Sequence, residues 1–162
     1  MYRISIHLCL KPGGVIADLP TDGLAVTVLY GNALLKGIYS ADFPSVSGAY
    51  LTENFTGVDD AYVSFYLRVN SLPAGNVRIV YFSNATIAVG NLQLLTSGRL
   101  RNDTTNIGAD SAPLAVGTVY RVGLHQRRGT GGNSILEAYV AVGDEPFGLS
   151  FASTTTGTCD AG

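Results

Sequence analysis

The sequence predicts an all-β protein whose strands stack as a sandwich or close as a barrel. Three observations carry that expectation. Val63, Phe65, Leu67 and Val69 alternate with Tyr62, Ser64, Tyr66 and Arg68, and period-two alternation sends the two sets to opposite faces of a strand. Short runs rich in β-branched and aromatic residues recur between Gly, Pro, Asn and Asp clusters, the rhythm of sandwiches and barrels. No run of helical period reaches useful length.

Each element follows from local chemistry. Met1 to Leu10 has one basic residue, Arg3, and an apolar run broken by Ser5 and His7. A secretion signal needs an apolar core of ~7–15 residues and a small-residue cleavage site. Alternation of Ile4, Ile6, Leu8 and Leu10 instead favours a strand. Residues 1–19 are therefore read as an irregular leader or first strand, broken afterwards by Gly13-Gly14 and Pro20. Strands are expected over 24–30, 33–39, 48–55 and 61–70. Leu72-Pro73-Ala74-Gly75-Asn76 then turns the chain into a strand over 76–83. Short strands follow over 85–89, 91–96, 98–102 and 104–108. Longer ones are expected over 118–126 and 134–142, and a last one over 146–152.

The hairpin of strands 118–126 and 134–142, joined through Gly129-Thr130-Gly131-Gly132-Asn133, can be read in register. Folding about position 130 sets Tyr120 opposite Val140, Val122 opposite Ala138 and Leu124 opposite Leu136. The other face then pairs Arg121 with Tyr139, Gly123 with Glu137 and His125 with Ile135. Both strands agree on one apolar face. Arg121 over Tyr139 would be a cation–π contact.

Composition excludes several classes. The chain has 162 residues, is 46% hydrophobic and carries a formal charge of −2; mean hydropathy is +0.25 and the isoelectric point about 5.5. This is one ordered domain, without the basic footprint that nucleic acid requires. No apolar run approaches the ~18 residues of a membrane-spanning helix. Cys9 and Cys159 stand near opposite ends. They pair if the termini meet, or else are a small strand side chain and a free thiol. The absence of a C-x-x-C spacing argues against a cysteine metal site. Sequons at Asn54, Asn84 and Asn102 matter only in a glycosylating pathway, and a chain rich in Thr and Asn yields them by chance.

YVSFYLRV, SLPAGNVRIVYF, the hairpin LQLLTSGRLRN, then PLAVGTVYRVGLH, a Gly-rich turn and ILEAYVAVGDEPF follow one another. This order resembles the laminin G-like and concanavalin A-like lectin/glucanase superfamily, as does the opening GLAVTVLYGNALLKG. The resemblance covers roughly residues 20 to 155 and rests on pattern and turn placement. It implies a jelly-roll sandwich of two antiparallel sheets over 20–155. Such domains usually continue past a segment like FASTTTGTCDAG into strands that close a sheet. The chain is therefore expected to lack its last edge strand, with 156–162 a polar tail at a truncation point. A rearranged N-terminal strand, or a strand shared within a homo-oligomer, would fill the same gap.

Each candidate chemistry competes with a plainer role for the same residues. Glucanases of this superfamily carry carboxylates alternating as E-x-D-x-E on one strand. This chain has no such triple: Asp59 and Asp60 are adjacent, and Asp144-Glu145 suit a turn. No G-x-S-x-G elbow accompanies His7 or His125. His125 near Glu137 could orient an imidazole, or be a histidine at a strand end. No catalytic residue is assigned, and a degenerate glycoside hydrolase or polysaccharide lyase is the fallback. No cofactor is required. The resemblance allows a Ca²⁺ at a sandwich rim, and Asp59, Asp60, Asp103 and Asp110 are the loop carboxylates available, though such residues also simply form turns.

Sugar binding uses aromatic rings against the apolar faces of sugars and planar polar groups for the hydroxyls. The outward set offers Tyr62 together with the candidates Tyr66, Arg68, Arg121, His125 and Tyr139. Gln126 joins them if the alternation lapses at the strand end. The same residues also suit a solvated sheet face, and the chain has no Trp. The expected function is a non-catalytic carbohydrate-binding or adhesion module of a larger, extracellular or cell-surface protein, with a glycan or cell-surface polysaccharide as partner. The alternative is a structural or assembly subunit of phage, capsid or filament type.

Overall fold

The computed structural model describes residues 3–8, 27–29, 40–44, 59–84, 87–102, 108–129 and 134–154. Ten strands occur among them, and no helix. They are β1 (Arg3–Leu8), β2 (Thr27–Leu29), β3 (Ser40–Pro44), β4 (Asp60–Ser71) and β5 (Val77–Asn84). There follow β6 (Ile87–Leu94), β7 (Leu100–Asn102), β8 (Val119–Arg127), β9 (Ile135–Val142) and β10 (Ala152–Thr154). They form two antiparallel sheets. One has seven strands in the order β10-β9-β8-β4-β1-β3-β2, the other three in the order β5-β6-β7.

Alternation in β4 does what its sequence requires. Phe65, Leu67 and Val69 are buried, and Val63 packs against them. Leu92, Leu94 and Leu100 of the smaller sheet join Val122, Leu124, Leu136, Ala138 and Ala152 of the larger one in a single cluster. The two sheets thus share one core, and each fully buried Leu contributes about 1.5–3 kcal/mol through removal from water. Asn102 on β7 crosses between the sheets, its Nδ2 donating to the Leu136 carbonyl at 3.3 Å. The β5–β6 ladder has two register irregularities, one with Ile79 as the extra residue of β5 between Arg78 and Val80, the other with Val89 as the extra residue of β6 opposite Phe82 and Ser83. The first bulge lets the consecutive residues Ile79 and Val80 both pack against the core.

The turn between β6 and β7 closes with Gly98 N–H donating to the Leu95 carbonyl at 2.9 Å. Gly98 there has a φ of 77°, a conformation that favours glycine. Ser111 then anchors the long connection to β8: its Oγ accepts from Leu100 N–H at 2.9 Å and donates to the Ala112 carbonyl at 2.7 Å.

Three expectations change. The short strands over 85–89 and 91–96 are one strand, β6. The strand expected over 146–152 is mostly a loop, with β10 beginning at Ala152; Pro146 has no N–H to give a ladder, and Phe147 folds over the sheet instead. The β8–β9 register is shifted by two residues, so that Tyr120 faces Val142, Val122 faces Val140 and Leu124 faces Ala138. An even shift preserves the faces and changes the neighbours. The Met1–Leu10 segment supplies β1, which lies between β4 and β3. The strands expected over 33–39 and 48–55 lie outside the described residues. So do most of the one over 104–108, both cysteines, Asp103 and the tail 156–162.

Candidate functional site

The outer face of the seven-stranded sheet presents a row of side chains in register. Ser153 on β10 faces Glu137 on β9, Glu137 faces His125 on β8, and His125 faces Tyr62 on β4. Alternation within each strand places all four on the face away from the core. The next row holds Tyr139, Gly123 and Ser64, and the row beyond it Ala141, Arg121 and Tyr66.

His125 is the hub of the first row. Its Nε2 lies 2.8 Å from Asp60 Oδ1 and its Nδ1 lies 3.0 Å from Glu137 Oε2. Both ring nitrogens face carboxylate oxygens, and only the doubly protonated imidazolium donates to both. The ring is 5% exposed because Tyr62 lies flat across it, centroids 3.8 Å apart and planes 6° from parallel. Glu137 also accepts from Tyr139 Oη at 2.7 Å and Ser153 Oγ at 3.4 Å. The His125 hydrogen bond lowers the Glu137 pKa, against the opposing effect of burial and with help from Tyr139 and Ser153. Tyr139 moves the other way: burial, and then the bond to Glu137, push its hydroxyl up to about 12.

The loop after β9 is clamped onto this face. Gly143 N–H donates to the Val119 carbonyl at 3.0 Å, and Tyr66 Oη donates to Asp144 Oδ1 at 2.6 Å. Arg121 Nη2 donates to the Glu145 carbonyl at 2.7 Å, while its guanidinium carbon sits 4.3 Å from the Phe147 ring centre. Phe147 also meets Tyr139 at 5.7 Å, tilted 42°. Gly123 makes the seat for Phe147, since a Cβ there would stand 3.0 Å from Phe147 Cζ.

Between these rings lies a cleft of about 290 Å³, lined by Tyr62, Val63, Ser64, Gly123, Leu124, Tyr139 and Phe147. Three of its seven walls are aromatic, and Tyr62 is 73% exposed. Small-molecule sites typically begin near ~300 Å³ and combine apolar walls with a few polar groups. This cleft is of that kind, at the small end.

The sequence candidates separate into groups. Tyr139 lines the cleft. His125 lies beneath Tyr62, and Arg121 is stacked on Phe147 rather than on Tyr139, a consequence of the shifted register. Tyr66 clamps the loop through Asp144. Arg68 lies farther along β4, its Nε donating to Asn70 Oδ1 at 2.9 Å. Gln126 does not join them: it pairs with Ala61 and Leu136, is 7% exposed, and stays on the inward face because the alternation persists. Sequence reasoning did not single out Phe147, Ser64 or Gly123 for the site. An aromatic after Pro146 is the available signal for Phe147, masked by the strand expected over 146–152.

The carboxylates considered for calcium that lie among the described residues, Asp59, Asp60 and Asp110, have other partners. Asp60 is bonded to His125, Asp110 makes a two-point bridge to Arg101 at 2.7 and 2.9 Å, and Asp59 stands 3.6 Å from Arg128. Among the described residues no three His, Cys, Asp or Glu side chains group as metal ligands. No helix among them is long and apolar enough to cross a membrane. No protein-family model, curated protein or solved structure matches the chain.

Proposed function

We propose that this chain is a non-catalytic carbohydrate-binding or adhesion module, acting at the cell surface as part of a larger protein. The observation that carries the reading is the cleft itself: Tyr62, Tyr139 and Phe147 around a floor of Ser64 and Gly123. Sugar rings present apolar C–H faces to aromatic side chains and hydroxyls to polar groups. The rigid support beneath Tyr62 favours such a role, because a platform already ordered loses little freedom on binding. The finer architecture we infer is a jelly-roll sandwich. Its support is two antiparallel sheets around one core, with β1 set between β4 and β3.

A glycan array tests the function. Binding that is lost in Tyr62→Ala and Phe147→Ala and kept in Tyr81→Ala, on the smaller sheet, supports it. An array without hits removes it. A concentration-dependent oligomer in light scattering would then favour the structural or assembly subunit instead.

A further inference from the structure

We infer that the ligand of the cleft is a single uncharged sugar ring, an inference that rests on the carbohydrate-binding reading above. Two features of the site carry it. The first is size. A volume of about 290 Å³ lies at the lower limit of small-molecule sites, room within the cleft for one ring, any further rings of a glycan lying outside it.

The second is charge. None of the seven lining residues is ionised at neutral pH: the set is Tyr62, Val63, Ser64, Gly123, Leu124, Tyr139 and Phe147, and Tyr139 stays protonated up to about 12. The nearest cation in register is Arg121, whose guanidinium is held by the Phe147 ring and the Glu145 carbonyl. The charged neighbours on the other side are Asp60 and Glu137, two carboxylates that share one imidazole. Their sum is negative whether His125 is protonated or not. A uronic acid, sialic acid or sulfated sugar would lose hydration of its anion while the adjacent cation, Arg121, is already engaged by Glu145 and Phe147, and would meet two carboxylates on the other side. A neutral pyranose suffers neither cost. Its C–H face meets the rings, and the hydroxyl of Ser64 is available to its polar edge.

The test sorts array hits by charge and repeats the leading ones in two salt concentrations. Neutral glycans are expected to bind and acidic ones to bind about tenfold more weakly or not at all. Neutral methyl pyranosides are expected to compete. Raising salt from about 0.15 to 1 M, which shortens the screening length from about 8 to 3 Å, should leave binding within about twofold. Hits confined to acidic glycans, with binding that collapses in salt, overturn this inference and leave the carbohydrate reading standing. An array with no hits overturns both. Gly123→Ala provides a second variant: its Cβ would stand 3.0 Å from Phe147 Cζ and displace that ring by a few tenths of an ångström without touching the core, and neutral-sugar binding should fall.

Discussion

His125 lies beneath Tyr62 as a flat shelf, 3.8 Å below it, and is itself held from both ends by Asp60 and Glu137. The candidate platform on the surface of β4 is therefore positioned by a buried hydrogen-bonded group on β8. Removing the shelf should matter more to folding than removing the platform. His125→Leu leaves the Asp60 and Glu137 carboxylates without a shared donor and should cost about 1–3 kcal/mol of stability. Tyr62→Ala, at an exposed position, loses its stack on His125 and should cost less than about 1 kcal/mol of stability while weakening glycan binding about tenfold. Chemical denaturation of both variants checks this; equal losses would refute the hierarchy.

Acid should loosen the site in a defined direction. Glu137 and Asp110 both have pKa values lowered in the fold, chiefly by hydrogen bonds from His125 and Arg101 respectively. A lowered carboxylate stabilises the folded state above its ordinary value, ~4, and that contribution is lost as pH falls through the lower folded value. Stability should decline on acidification more steeply in the native chain than in Glu137→Gln or Asp110→Asn. Superimposable pH–stability curves would contradict the assignment.

Alkali should single out Tyr139. Its raised pKa means that the fold prefers the neutral phenol. The associated stability is complete below the ordinary value of ~10 and is lost as pH rises through about 12. Phenolate absorbance should show a component that ionises only near pH 12 and vanishes in Tyr139→Phe. Its ionisation with the exposed tyrosines would sink the prediction.

The core offers opposite perturbations. Leu67 is fully buried, and Leu67→Ala should cost about 2–5 kcal/mol by leaving a cavity. Gly90 is tight in the other sense: a Cβ would stand 2.7 Å from Leu136 Cδ1 and 3.7 Å from Phe82 Cδ2. Gly90→Ala should cost about 1–3 kcal/mol by overpacking. Thermal melts give both; a neutral Gly90→Ala would show that Leu136 can yield.

Gly123→Ala meets a softer neighbour. Phe147 is partly exposed on a loop, so the ring can swing outward where Leu136 cannot. Little loss of stability and a clear loss of glycan binding are expected. Calorimetry with a neutral sugar separates the two, and unchanged binding would show that Phe147 is not part of the site.

Strand character and facing were set by local sequence. The period-two rule placed Phe65, Leu67 and Val69 inside and Tyr62, Ser64, Tyr66 and Arg68 outside, since a strand has only two faces. The same rule put His125 and Glu137 on one face even with the register misjudged, because an error of two residues leaves parity intact. Only the tertiary structure decided which outward residues meet. The β8–β9 pairing brings His125 to Glu137. The loop after β9 carried Phe147 onto Gly123, and the pairing of β4 with β8 laid Tyr62 on His125. Those contacts join segments distant along the chain, and no local periodicity encodes the path of a loop or the offset of a hairpin.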